Sequence, residues 1–76
     1  MPYTISEHAR QRIAERALPA EHLAAALDGR AYEQADGHVG YCDPRSRCLV
    51  VIDPQSAVVV TAYRLKRKQL KRRYSR

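Results

Sequence analysis

The chain is 76 residues long, so a single domain (residues 1–76) with one core is expected, and a core of that size supplies only about 3–5 kcal/mol. No stretch approaches the roughly 18 apolar residues of a membrane span. The start, Met1-Pro2-Tyr3-Thr4, lacks the basic-then-apolar pattern of an export signal, so a cytoplasmic protein with no membrane partner is expected.

The formal net charge of +6 is unevenly held: eight of the 14 basic residues fall in the last 13 positions, leaving residues 1–63 at −2 and the end at +8. A nearly neutral body with a concentrated basic end suits a polyanionic partner. A solubilising tail is the plainer reading of such a run. Against it, the run carries Leu65, Leu70 and Tyr74 and continues directly from an apolar strand.

Taken in chain order, Thr4-Ile5-Ser6-Glu7 reads as a helix start, with Thr4 and Glu7 spaced as a capping box and Ser6 as the alternative cap. Ile5, Ala9, Ile13 and Ala17 recur at i+4 and form an apolar stripe, so a helix to Arg16 or Ala17 is expected. A second i+4 series, His8, Arg12 and Arg16, borders that stripe. Leu18-Pro19-Ala20-Glu21 opens a second helix, with Pro19 suited to the first helical position. Leu23 and Leu27, helped by Ala24, form its buried edge, and Gly29 supplies a left-handed stop.

After Gly29 the apolar period shortens to two. Weak strand character over Ala31–Ala35 is followed by strands at His38–Cys42, Cys48–Asp53 and Ala57–Arg64, the last two rich in β-branched residues. Asp43-Pro44-Arg45-Ser46 and Asp53-Pro54-Gln55-Ser56 both carry Asp and Pro where a type I turn prefers them. The expected fold class is α+β: two N-terminal helices on one face of a three- or four-stranded antiparallel sheet. The basic segment 64–76 then follows as a short helix or an extended arm. Cys42 and Cys48 flank a turn that could set them opposite each other. Two reduced thiols remain the simpler reading.

No glycine-rich phosphate loop, H-E-x-x-H pair or C-x-x-C pair occurs, so neither a metal nor a cofactor is expected. What remains suits phosphodiester chemistry. Cleavage of RNA without metal needs a proton acceptor for the 2′-hydroxyl, a proton donor for the leaving oxygen, and cations around the developing charge. Histidine exchanges protons near neutrality, which makes His8 the acid–base candidate. Arg12, one turn along, can hold a phosphate with two parallel bonds, and Arg16 extends the row.

On the last strand strict alternation puts Val59, Thr61, Tyr63 and Leu65 on one face and Val58, Val60, Ala62 and Arg64 on the other. Thr61 can contact a phosphate, and Tyr63 can stack on a base or donate a hydrogen bond. His8, Arg12, Thr61 and Tyr63 are thus the candidate catalytic residues. Arg16, Arg64, Lys66, Arg67, Lys68, Lys71, Arg72, Arg73 and Tyr74 are the candidate RNA-binding ones. The plainer readings are that His8 and Arg12 border the core, that Thr61 is a strand former, and that His22 and His38 are neutral surface residues.

The helix Ser6-Glu7-His8-Ala9-Arg10-Gln11-Arg12-Ile13-Ala14-Glu15-Arg16-Ala17-Leu18 resembles the opening of a bacterial family of small domains of unsettled function. In that family a His-Ala, Arg, Arg helix precedes strands that close on a segment matched here by Val59-Val60-Thr61-Ala62-Tyr63. The layout also resembles that of BrnT- and RelE-type toxins, and Thr61 to Tyr74 is similar to the arginine-rich, tyrosine-bearing close of BrnT-like chains. The resemblance implies a metal-independent ribonuclease toxin held by a partner antitoxin or immunity protein. It points to Arg64, Lys66 and Tyr74 as functional. RelE-type chains begin with a strand, whereas this one is expected to enter its first helix almost at once.

Two further functions fit the same residues. A non-catalytic RNA- or ribosome-binding module needs only the basic end and predicts steep salt dependence. A protein-interaction module, one half of a toxin–antitoxin pair, would set the basic end against an acidic partner.

Overall fold

The computed structural model describes residues 3–69. Two helices, α1 (Glu7–Glu15) and α2 (Ala20–Leu27), lie between a first strand β1 (Thr4–Ile5) and four more: β2 (Arg30–Glu33), β3 (Val39–Cys42), β4 (Cys48–Asp53) and β5 (Val58–Arg64). A short 3-10 turn, Ala35–Gly37, joins β2 to β3. The sheet runs β1-β5-β4-β3-β2. It is mixed, because β1 lies parallel to β5 while the other neighbours are antiparallel. The α+β class stands, but the sheet has five strands, not the three or four antiparallel ones expected.

The added strand explains why Thr4 is not a helix cap. Thr4 N donates to Ala57 O at 3.0 Å and Ser6 N to Val59 O at 3.1 Å, so this backbone serves the outer edge of β5. The chain therefore enters the fold through a strand before its first helix. Ser6, extended at φ −66° and ψ 158°, takes the cap instead, its Oγ accepting from Ala9 N at 3.1 Å.

α1 closes with paired bonds from Ala17 N to Ala14 O (3.2 Å) and from Leu18 N to Ile13 O (3.0 Å), a Schellman motif. Its left-handed position is held by Ala17 at φ 49°, where glycine is the usual residue. A left-handed L-residue costs about 1–2 kcal/mol, and glycine returns roughly 0.5–1 kcal/mol of that through its freer unfolded chain. Ala17→Gly is therefore expected to stabilise the domain by about 0.5–1 kcal/mol, read as a Tm rise of several degrees. An unchanged or lower Tm would contradict this account of the helix end.

Pro19 is the N-cap of α2, one place earlier than expected, and supplies no side-chain cap bond. Leu23 and Ala26 are the buried residues of α2. Leu27 is half-buried, and Ala24 is exposed, contrary to its expected place on the buried edge. Leu23, Ala26 and Leu27, with Ala9 and Leu18, meet Cys48, Val50, Ile52, Val59 and Ala62 on one face of the sheet. On the opposite face Cys42, Leu49, Val51 and Leu65 form a second cluster with Tyr32, Val60 and Tyr63. β4 is buried on both faces from Cys48 to Ile52, which is why it reads as an uninterrupted apolar run.

The expected alternation of β5 breaks at a bulge. Val51 pairs with Thr61 and Ile52 with Val59, leaving Val60 as the extra residue. Val59 and Ala62 consequently face the helices, while Val60 and Tyr63 pack on the other side, and Thr61 stands there opposite Val51. The two Asp-Pro turns are alike, each ending in a left-handed residue, Arg47 (φ 62°) and Ala57 (φ 55°). Cys42 pairs with Leu49, so Cys48 sits one step along and points to the opposite face. No disulfide joins the two cysteines.

Candidate nucleic-acid interface

β1 pairs with Val58 and Val59, so among the described residues no strand covers the outer edge of β5 beyond the bulge. α1 starts at that edge, where Ser6 N meets Val59 O, and ends over it. There Arg16 Nη1 donates to Ala62 O at 2.6 Å, and the guanidinium lies 6.0 Å from the ring centroid of Tyr63. The contact is of cation–π type. By the i+4 spacing, His8 and Arg12 look the same way as Arg16. His8 is exposed, and Arg12 forms a 2.8 Å ion pair with Glu15.

Thr61 and Tyr63, both half-buried, stand on the face away from the helices. Of the α1 row, Arg16 is the side chain that crosses the outer edge of β5 to the strand carrying Thr61 and Tyr63; Arg12 is held on its own helix by Glu15.

Arg64 lies at the far end of β5, apart from that edge. Its Nη1 donates to Ser46 O at 2.7 Å, and its Nη2 approaches His22 Nδ1 at 3.4 Å. Since a guanidinium only donates, that approach is a hydrogen bond in the tautomer that leaves His22 Nδ1 without a proton. Together His22, Asp43, Arg45, Ser46, Arg47 and Arg64 line an open cleft of about 380 Å³. Burial alone would raise the Asp43 carboxyl. Bonds from the Ser46 hydroxyl (2.8 Å) and from the backbone N–H groups of Ser46 (3.2 Å) and Arg45 (3.3 Å) outweigh it and hold the carboxyl below its ordinary value.

Arg45 and Arg47 were not among the residues that sequence reasoning singled out, and His22 was read as a neutral surface residue. The readable signal was hairpin register: β4 and β5 pair Cys48 with Arg64, which sets Arg64 beside the turn that carries both arginines.

The basic end is described only in part. Leu65 is buried and its N–H donates to Arg47 O at 2.7 Å, while Lys66, Arg67 and Lys68 are exposed. Residues 67–69 are helical, and Gln69 Oε1 accepts from Lys66 N at 2.8 Å. Lys71, Arg72, Arg73 and Tyr74 lie outside the described residues.

Both cysteines are fully buried, and burial pushes the Cys48 thiol up to about 11 although Arg64 pulls it down. A raised thiol keeps its proton in the fold, so its contribution to stability is present below the ordinary thiol value and fades as pH climbs toward 11. Neither thiol is expected to react with an aromatic disulfide reagent at pH 8 until denaturant is added. Prompt labelling of the native protein would contradict the burial.

Among the described residues, no helix is long and apolar enough to cross a membrane, and no group of three or more His, Cys, Asp or Glu side chains is placed to hold a metal ion. No protein-family model, no curated protein and no solved structure matches this chain.

Proposed function

We propose that this chain is a metal-independent endoribonuclease of the toxin kind, similar to BrnT and RelE-type proteins, acting in the cytoplasm and restrained by a partner antitoxin or immunity protein. In the reaction the 2′-oxygen of one nucleotide attacks the adjacent phosphorus. The 2′-O–P bond forms as the P–O5′ bond breaks, leaving a 2′,3′-cyclic phosphate and a 5′-hydroxyl. His8 accepts the 2′-hydroxyl proton, and the Tyr63 hydroxyl gives one to the departing 5′-oxygen. Arg12 and Arg16 stabilise the phosphorane charge, with Thr61 as a further donor. The exposed cations Lys66, Arg67 and Lys68 hold the flanking backbone.

The observation that supports this reading is Arg16. Its bond to Ala62 O and its place near the Tyr63 ring tie the cationic row of α1 to the strand that carries Thr61 and Tyr63. The test is incubation of the purified protein with total RNA in EDTA, with and without translating ribosomes. Expected are fragments ending in cyclic phosphate. Intact RNA in both conditions would overturn the catalytic assignment and leave a binding module.

A further inference from the structure

We infer that the cleft between α2 and the β3–β4 turn is a second phosphate-binding site, which holds a backbone phosphate of the polynucleotide away from the edge where cleavage is proposed. The inference deepens the ribonuclease reading and rests on it for the identity of the polyanion.

Four observations carry it. Three arginines, Arg45, Arg47 and Arg64, converge on one cleft with the imidazole of His22, from three separate parts of the chain. The single carboxylate there, Asp43, accepts three hydrogen bonds within its own turn, and the lining keeps a net charge of +2 with His22 neutral. Arg64 is held in place by its bond to Ser46 O, so one guanidinium is already oriented before any ligand arrives. A guanidinium has five N–H donors, and the two contacts Arg64 makes leave donors for an oxyanion.

Arg47 closes its turn at φ 62°, as Ala57 (φ 55°) closes the other Asp-Pro turn. The space, about 380 Å³, is within the roughly 300–1,000 Å³ of small-ligand pockets. A phosphate with its sugar therefore fits. Leu65 N bonding to Arg47 O places the first residues of the basic end beside the cleft, so a strand seated there continues onto Lys66.

The test measures affinity for a 2′-O-methyl oligoribonucleotide, which has no attacking hydroxyl, so the result does not depend on cleavage. The variant is Arg45→Ala with Arg47→Gly. Glycine suits the left-handed position and keeps the carbonyl that Leu65 uses. Arg10→Glu, on an exposed part of α1, changes the net charge by the same amount as the double variant and serves as the control for lost charge. The double variant is expected to bind about ten-fold or more weakly, with a salt slope reduced by about one per arginine removed, while Arg10→Glu changes little.

Equal losses in variant and control, or no loss in either, would overturn the cleft as a polynucleotide site. Inorganic phosphate separates the sources: it should shift the His22 ring resonances in the wild type and not in the double variant. If it does so while oligonucleotide affinity is unchanged, the site serves free phosphate and the polynucleotide assignment fails. Wild-type cleavage in His8→Ala with binding lost in the double variant would sink the catalytic reading alone, and cleavage lost in His8→Ala with binding unchanged in the double variant would sink the cleft alone.

Discussion

His8→Ala is expected to lower RNA cleavage in EDTA by two to four orders of magnitude, the usual share of a positioned acid–base group, while leaving the fold intact. His8 sits in the first turn of α1, exposed, and nothing in the core depends on it. Tm should therefore be unchanged, and binding of a 2′-O-methyl oligonucleotide should persist, since Arg16 and the cleft arginines remain. The loss would fall in kcat and not in KM, because an imidazole that moves a proton acts in the transition state. Cleavage at the wild-type rate would remove His8 from the mechanism. A parallel drop in Tm would show that the histidine serves the fold.

Arg16→Lys is the companion variant. It keeps the charge, but lysine lacks the planar fork that reaches Ala62 O while lying near the Tyr63 ring.

The site was legible where helical spacing carried it and obscured where the sheet rewrote local rules. The row His8, Arg12 and Arg16 follows from i+4 spacing, and the third member does reach β5. The face of each β5 residue did not follow from alternation, because the register of β4 against β5 slips at Val60, and a single extra residue inverts the faces on one side of it. Nothing in Val58-Val59-Val60 announces a bulge, since three consecutive β-branched residues suit either register.

Arg64 was legible as a cation but not as a member of a cleft. Its partners, Ser46 and His22, are distant in sequence and come together only through the β4–β5 pairing and the seat of α2. β1 was hidden for a similar reason. Two residues carry no period, and Thr4 with Glu7 happens to match a helix cap. The unpaired edge of β5 decides between the two readings by accepting the backbone. β4 was the opposite case: its apolar run is long enough that Cys48–Asp53 is both the expected and the observed strand.

Gly29→Ala is expected to cost about 3 kcal/mol or more, most of what a core of this size supplies. The sequence suggests a left-handed helix stop at Gly29, yet Gly37 is the glycine with positive φ. What Gly29 provides is room. A Cβ there would overlap the Cys42 carbonyl oxygen and press on the Ala26 carbonyl as well. Both neighbours are backbone, so no rotamer change relieves the contact. Either the start of β2 must part from β3, where Arg30 pairs with Cys42, or the end of α2 must lift from the sheet.

Gly37→Ala isolates the other role of glycine. Its φ is 75° and nothing lies within 4 Å of the added carbon, so only the backbone cost of about 1–2 kcal/mol applies. Urea midpoints should therefore fall much further for Gly29→Ala than for Gly37→Ala. The reverse order would mean that α2 and β3 approach less closely than the fold requires. The seat of His22 over Arg64 depends on that same approach, so Gly29→Ala protein that remains folded should also lose affinity at the cleft.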